Sequence, residues 1–444
     1  MSNTTTRRFF LGAATAAAAT RVWGANDAVN VGIVGIGGRG TTHLNTYSKM
    51  PGARVVGLCD VNQAARETAN ATLVKNTGVK AKEYEDMRAM FADKDVQAVS
   101  IATPNHWHAL STIWALQAGK DAYCEKPACY NIHEGQRMIE VARETKRLVQ
   151  IGSQHRSTPF KIKGMAALHG GIIGKVYMAK GLCYKRRVSI GHKEDSPIPA
   201  GVNWDLFLGP APMRAFNELR FKYNWHWFWD TGNGDIGNQG VHEMGIARWG
   251  LGDPSWPNAA VSYGGKFGPA DDQETPNTLT ANFDYGDRQL VFEVRGLLTG
   301  AEGSVPARAA VAGAPAPKLQ SNPLAVTVGN LFYGTEGWMS MNDGGYQVYK
   351  GESNELIEEE KAEKGQDTTR LHMENFLSAV RSRNYSELHD GIENAALSAG
   401  LCHLANIGYR TGHKLTVEAG PKFGGDVAAN KLLTRDVYRK PYVV

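Results

Sequence analysis

The chain has no apolar run long enough to cross a bilayer, few cysteines, and no stretch in which basic residues alternate with aromatics. The first absence argues against a stable membrane anchor. The five cysteines, Cys59, Cys124, Cys129, Cys183 and Cys402, neither pair evenly nor show zinc spacing, so they read as free thiols. Cys59 and Cys124 end apolar strands, where a small hydrophobe suffices. The lack of basic and aromatic interleaving excludes a groove for nucleic acid strands. No internal repeat is evident. Acidic residues are missing altogether before Asp27.

That last gap coincides with Thr6, Arg7, Arg8, Phe9, Phe10 and Leu11, followed by a mild apolar run from Gly12 to Ala19. Residues 1–25 therefore read as an export leader of the twin-arginine type, which carries folded proteins across a membrane, with cleavage expected near Gly24 or Ala25. A periplasmic or otherwise exported location follows as an expectation. Three positive charges, Arg7, Arg8 and Arg21, lie in the leader; without them the formal charge falls from +5 to +2. At 444 residues with 42% hydrophobic and 21% charged residues, the chain is an ordinary globular one of two or more domains.

What the sequence does have is a strand that breaks into glycines, AVNVGIVGIGGRG, from Ala28 to Gly40. A dinucleotide pyrophosphate needs a tight first turn, a second residue without Cβ and a third that lets helix pack on strand. Gly35, Gly37 and Gly40 occupy those positions, with Gly38 and Arg39 between them, and the following helix offers its N–H groups to the phosphates. A second strand, Arg54 to Cys59, ends at Asp60, placed to accept hydrogen bonds from the adenosine ribose and to repel a 2′-phosphate. The cofactor expected is NAD rather than NADP, although Arg39 in the turn is a candidate to soften that preference.

From Val29 to Gly152 short apolar strands alternate with helices, which argues a parallel sheet covered on both faces, with ligands beyond the carboxyl ends of its strands. Residues 28–152 are assigned to this Rossmann domain and 153–444 to a second α/β domain. In the latter, strands at Val176–Tyr184, Ala259–Phe267, Leu279–Tyr285, Gln289–Val294, Val326–Phe332, Gly337–Met341 and Gln347–Lys350 predict an open, mostly antiparallel sheet. Gly300–Asn322 reads as a surface loop, Glu352–Lys364 as a solvated charged face, and two late helices as 369–381 and 391–411. The tail to Val444 has little periodicity.

The segment TPNHWHALSTIWALQAGKDAYCEKP, with the glycine pattern upstream, resembles the oxidoreductase family named for glucose-fructose oxidoreductase and inositol dehydrogenase (Gfo/Idh/MocA). The resemblance implies a dinucleotide-binding domain joined to an open-sheet domain, and activity on sugars, polyols or their derivatives. It places Lys126, beside Glu125, against the nicotinamide and the substrate oxygen, and Thr103, Asn105 and His108 along the nicotinamide. A lysine there makes chemical sense, because a cation stabilises the alkoxide that develops as a carbinol carbon loses hydride. A second motif, GNGDIGNQGVHEMGIARW, carries His242 at the family histidine but Asn238 where the family usually has aspartate. An amide orients a hydroxyl but takes no proton, so acid/base work passes to His242, with Asp235 as an alternative carboxylate.

Further contacts are expected from Gln154 and Arg156, just after the last strand of the first domain, and from Trp225 and His226 in the aromatic run NWHWFWD, a candidate sugar platform. His106 and His108 flank Trp107 without a third ligand, so no metal is expected. The function expected is NAD-linked oxidation and reduction of a secondary hydroxyl of a carbohydrate. A redox-neutral NAD-dependent glycoside hydrolase and a non-catalytic sugar-binding protein are the alternatives, the last supported by the missing acid at Asn238. A homo-oligomer is expected because exposed faces of open sheets often pair.

Overall fold

The computed structural model describes residues 28–303, 324–418 and 420–444; residues 1–25, expected to be a leader, and nearly all of the alanine- and proline-rich stretch from Gly300 to Asn322, expected to be a loop, lie outside the described residues. The β/α alternation of the first half builds a six-stranded sheet in the order β3-β2-β1-β4-β5-β6. Its strands are β1 Val29–Val34, β2 Ala53–Cys59, β3 Lys82–Tyr84, β4 Ala98–Ile101, β5 Asp121–Cys124 and β6 Val149–Ile151, with every adjacent pair parallel. Between them run α1 Gly38–Tyr47, α2 Gln63–Thr77, α3 Met87–Ala92, α4 His108–Gln117 and α5 Ile132–Thr145. Parallel strands are buried on both faces, and β4 and β5 are buried at every residue.

The helix starts are set locally. Asn62 accepts a hydrogen bond from the Ala64 N–H at the head of α2. Asn131 accepts from the Glu134 N–H at the head of α5, while the Glu134 carboxylate accepts from Tyr130 N at 3.0 Å, a reciprocal capping arrangement.

The second half forms a nine-stranded sheet in the order β14-β13-β12-β11-β7-β10-β9-β8-β15. These strands are β7 Val176–Cys183, β8 Ala259–Gly265, β9 Thr278–Asp284, β10 Gln289–Arg295, β11 Val328–Gly334, β12 Gly337–Asn342, β13 Gly345–Lys350, β14 Glu355–Lys361 and β15 Leu415–Thr416. Only the central β7–β10 pair is parallel. In β10, Leu290, Phe292 and Val294 are buried and alternate with half-buried Gln289, Val291, Glu293 and Arg295. This period-2 pattern marks a sheet packed on one face. The remaining helices are α6 Pro159–His169, α7 Trp204–Leu208, α8 Gly234–Asn238, α9 Gly240–Gly250, α10 Thr368–Ser382, α11 Ile392–Thr411 and α12 Val427–Lys431.

Several elements depart from the sequence reading. The charged stretch read as a solvated face pairs as the edge strand β14, in which exposed and half-buried residues alternate. An edge strand hydrogen-bonds on one side only and tolerates charge, which hides it from hydropathy patterning. Helix α10, late in the chain, contributes Met373, Phe376 and Leu377 to the core beneath β1 and β2. The tail does not trail away: Tyr442 is 3% exposed and meets Trp107 edge-on at 5.4 Å.

That tail joins a cross-domain clasp. Segment 201–208 docks on the end of β2 through Gln63 N to Gly201 O and Asn203 N to Val61 O, both 2.9 Å. Trp107 Nε1 donates to Leu206 O and Phe207 O at 3.0 Å. From the tail, Arg439 pairs with Asp205, and Tyr442 Oη donates to Asp205 Oδ2 at 2.9 Å. Tyr442→Ala removes a buried aromatic and this hydrogen bond and is expected to cost about 3 kcal/mol, read as an earlier unfolding transition. Val443→Ala, at a half-exposed neighbour, is expected to stay within about 0.5 kcal/mol of the parent.

Candidate active site

The glycine turn after β1 is built to approach a ligand. Gly35 sits at φ +80°, a Cβ on Gly40 would stand 1.8 Å from Gly35 O, and a Cβ on Gly37 or Gly38 would meet nothing within 4 Å. Thus two glycines are forced by the chain itself and two leave an open face, where α1 begins without any side-chain cap. Asp60 braces this turn: Oδ2 accepts from Ile36 N at 2.7 Å and Oδ1 from Asn62 N at 2.9 Å. Burial raises its pKa against those hydrogen bonds. A carboxylate has about four acceptor sites, so lone pairs remain for ribose hydroxyls.

Arg39 does not face Asp60. Its Nε donates to Glu125 Oε1 at 2.8 Å and its Nη2 to Thr369 at 3.4 Å, so it is not free to meet a 2′-phosphate. Glu125 is the hub of the cleft. The same Oε1 contacts His43 Nε2 at 2.9 Å and Gln154 Nε2 at 3.0 Å. Although burial opposes ionisation, Arg39 and His43 hold the Glu125 carboxyl well below the usual range. Gln154 also donates to Tyr123 Oη at 3.0 Å, which makes it a brace for Glu125.

The loop after β4 supplies the other wall. Thr103 Oγ1 and Asn105 Oδ1 are buried with no hydrogen-bond partner, while Asn105 Nδ2 donates to Asn233 Oδ1 across the domains. Buried orphan polar atoms at the carboxyl edge of a parallel sheet are what a bound dinucleotide would satisfy. Together with the open glycine face and Asp60, they fit NAD. His108, expected along the nicotinamide, instead has both ring nitrogens against backbone carbonyls, Pro127 O at 2.7 Å and Thr103 O at 2.9 Å. It is a strut between two loops. His106 is likewise tied to Phe207 O at 3.0 Å, and no group able to hold a metal ion occurs among the described residues.

Lys126 crosses the domain junction. Its Nζ donates to the backbone carbonyl of Asn238 at 2.6 Å, and burial lowers its pKa against the opposing pull of Glu125. Lys126, His242 and His155 line one cavity, with Ile151, Val241 and Ile246. The ring of His242 stacks on His155 at 4.9 Å and 18°, and its Nδ1 is buried without a partner. Burial, then the Lys126 charge, hold its pKa well below 6.5, so the ring is neutral.

The side chain of Asn238 donates from Nδ2 to Tyr223 Oη at 2.9 Å and to Asp235 Oδ1 at 3.4 Å. Asp235 is not a spare base, because Arg187 binds both its oxygens, at 2.8 and 2.6 Å. Arg156 also lines the cavity of Lys126 and His242, with its guanidinium engaged on the far side. Its guanidinium is 7% exposed, forks onto Asp253 at 3.0 and 2.7 Å, and lies over Trp249. In the aromatic run, Trp227 and Phe228 are core residues. His226 is buried with Nδ1 at 2.5 Å from Tyr223 O, and Trp225, half-buried, gives one face to His226 at 3.5 Å.

Sequence reasoning missed His43, Asn233, Tyr223, Arg187, His155 and Lys161. His43, Tyr223 and Lys161 reach the site through fold-level contacts, whereas Asn233 inside the second motif, His155 between Gln154 and Arg156, and the basic run Lys185–Arg187 each offered a local signal.

Comparison with known proteins agrees with this geometry. Residues 29–153 match a family model described as "Oxidoreductase family, NAD-binding Rossmann fold", and residues 167–262 one described as "Oxidoreductase family, C-terminal alpha/beta domain". An inositol 2-dehydrogenase of Salmonella typhimurium is 34% identical over 158 residues, 35% of this chain and 46% of the relative. The chain thus matches less than half the length of that relative. A glycosyl hydrolase family 109 protein of Shewanella baltica is 30% identical over 125 residues, 27% of each chain. The WlbA dehydrogenase from Bordetella pertussis, solved with NADH and UDP-GlcNAcA, superposes with a TM-score of 0.62 at 19% identity, over 88% of this chain and 98% of that one. The shared architecture is a Rossmann domain with a parallel sheet followed by an α/β domain with a mixed sheet.

The Glu125 hub sets a pH dependence. Because its folded pKa lies below the unfolded value, its contribution to stability is present above about pH 4.5 and is lost as pH falls toward the folded value. Glu125→Gln strands the Arg39 charge and is expected to cost about 3 kcal/mol at pH 7 and less at pH 4. Denaturation at the two pH values checks this, and an equal cost at both would refute it.

Proposed function

The chain belongs to the Gfo/Idh/MocA oxidoreductase family, and on that premise we propose that it oxidises and re-reduces a secondary hydroxyl of a sugar, glycoside or polyol with tightly held NAD. One observation carries the reading: Lys126 from the first domain and His242 from the second line a single cavity at the carboxyl edge of the Rossmann sheet. The glycine turn, Asp60, Thr103 and Asn105 would hold the dinucleotide, which when bound accepts and returns the hydride. Lys126 presents its ammonium to the substrate oxygen and stabilises the negative charge that develops there. His242 takes the hydroxyl proton on its unpartnered Nδ1. The Asn238 carboxamide, one helical turn before His242, orients the hydroxyl and carries no proton.

The names of the inositol dehydrogenase relative and of the NADH-bound dehydrogenase of like fold support a polyol or sugar substrate. The leader supports export with the cofactor already bound, since free NAD to exchange is scarce outside the cytoplasm. Oxidation of one carbohydrate and reduction of another by turns keeps such a cofactor in use.

Absorbance of the purified protein at the nicotinamide band tests this. A rise with one sugar that a second sugar reverses is expected. Release of an aglycone without net reduction would replace the proposal by redox-neutral glycoside cleavage, and no change with any sugar would leave a receptor. Lys126→Met is expected to abolish turnover while NAD stays bound; retained turnover removes Lys126 from its role. Since burial and Lys126 keep His242 neutral, the acid limb of kcat/KM is expected below pH 6.5, and an acid limb above that value removes His242 as the base.

A further inference from the structure

Lys161, on α6, is a buried lysine that the chemistry above does not use. It is 4% exposed, with Nζ at 2.7 Å from His155 Nδ1 and 2.8 Å from Asp343 Oδ1. An ammonium has three donors and no acceptor, so the contact with His155 is donation into the Nδ1 lone pair. The ring proton of His155 therefore resides on Nε2, which lies 3.7 Å from Asp343 Oδ1. That ring is the one stacked on His242. His155 cannot become an imidazolium without surrendering the Lys161 bond.

We propose that Lys161 is a positioning residue for the base of this site: it locks His155 as a neutral Nε2–H ring and, through the stack, holds the ring of His242 in place so that its Nδ1 is open to accept a proton. The inference rests on the role given to His242 above. It adds a source for the placement of that ring, and it explains why a buried cation stands behind a histidine rather than beside a carboxylate alone.

The surroundings fix the sign of the effect. His155 faces Lys161, Asp343 in the turn between β12 and β13, Lys126 after β5 and His372 on α10. His242 faces Lys126, His155, Glu125 and Arg39. Removing the Lys161 charge leaves Asp343, which favours an imidazolium, opposed by Lys126 alone among the nearby cations of His155. The protonation midpoint of His155 therefore rises, and the freed Nδ1 admits the other tautomer.

Ring 15N chemical shifts of the histidines in the full, NAD-loaded chain between pH 4 and 8 test this without any substrate. In the parent, His155 and His242 stay neutral and His155 keeps an unprotonated Nδ1. In Lys161→Met the midpoint of His155 is expected to rise by about one pH unit or more, with mixed tautomers, while that of His242 does not rise, because charge on His155 opposes charge on the ring stacked against it; Lys161→Arg restores the parent spectrum. Lys161→Gln keeps an N–H donor and no charge. It serves if the methionine variant fails to fold, and is expected to hold the tautomer while the midpoint of His155 rises. An unchanged tautomer and midpoint of His155 in Lys161→Met, or an unchanged midpoint in Lys161→Gln, overturns the proposal. No absorbance change at the nicotinamide band with any sugar would overturn the oxidoreductase reading while leaving the tautomer lock standing, so the two failures are distinguishable.

Discussion

The site depends on one buried carboxylate. Glu125 is 4% exposed, yet it stays ionised because Arg39, His43 and Gln154 converge on one oxygen while Lys126 N lies 3.3 Å from the other. The partners come from two separate places in the chain: Arg39 and His43 from α1, and Gln154 from the turn after β6. An ion taken from water is expensive unless several donors replace the solvent. The same charge that needs these donors fixes them relative to one another. Lys126, the adjacent residue in the chain, inherits a defined position at the domain junction.

The turn that follows β6 carries this constraint into the second domain. Four consecutive side chains leave it in different directions. Gln154 returns to Glu125, His155 stacks on His242, Arg156 forks onto Asp253, and Ser157 lies between His372 and His389 at 2.6 and 2.7 Å. A short turn with every side chain committed cannot rotate without breaking contacts on several walls. The spacing between Lys126 and His242 is thus set by a rigid link, as the proposed geometry-sensitive reaction requires.

How much of this the sequence disclosed follows from the range of each interaction. The parallel sheet was legible because strand, glycine turn and helix are consecutive. Lys126, His242 and Asn238 were singled out through the family resemblance of two local motifs. Arg156 lines the cavity as expected, but the partner that fixes its guanidinium, Asp253, lies nearly a hundred residues on and left no trace in the local pattern. The pairing of Lys161 with Asp343, the Arg187 fork on Asp235 and the packing of α10 beneath β1 all join residues far apart in the chain. No periodicity reports such contacts. His108 shows the reverse error: its place in the motif was right, but a neighbouring carbonyl on each side turned a candidate ligand into a support.

The proposal of a tightly held cofactor has a structural counterpart in the clasp. In the strand order β2-β1-β4, segment 201–208 bonds to the residues after Asp60 at the end of β2 and to Trp107 beyond β4, so it spans the glycine turn of β1 that lies between them. The C-terminal tail then bolts that segment down through Arg439 and Tyr442 on Asp205. A dinucleotide in this cleft would be bounded by chain on both sides of its phosphate turn. Aromatic packing around Trp204 and Phe207 stiffens that segment.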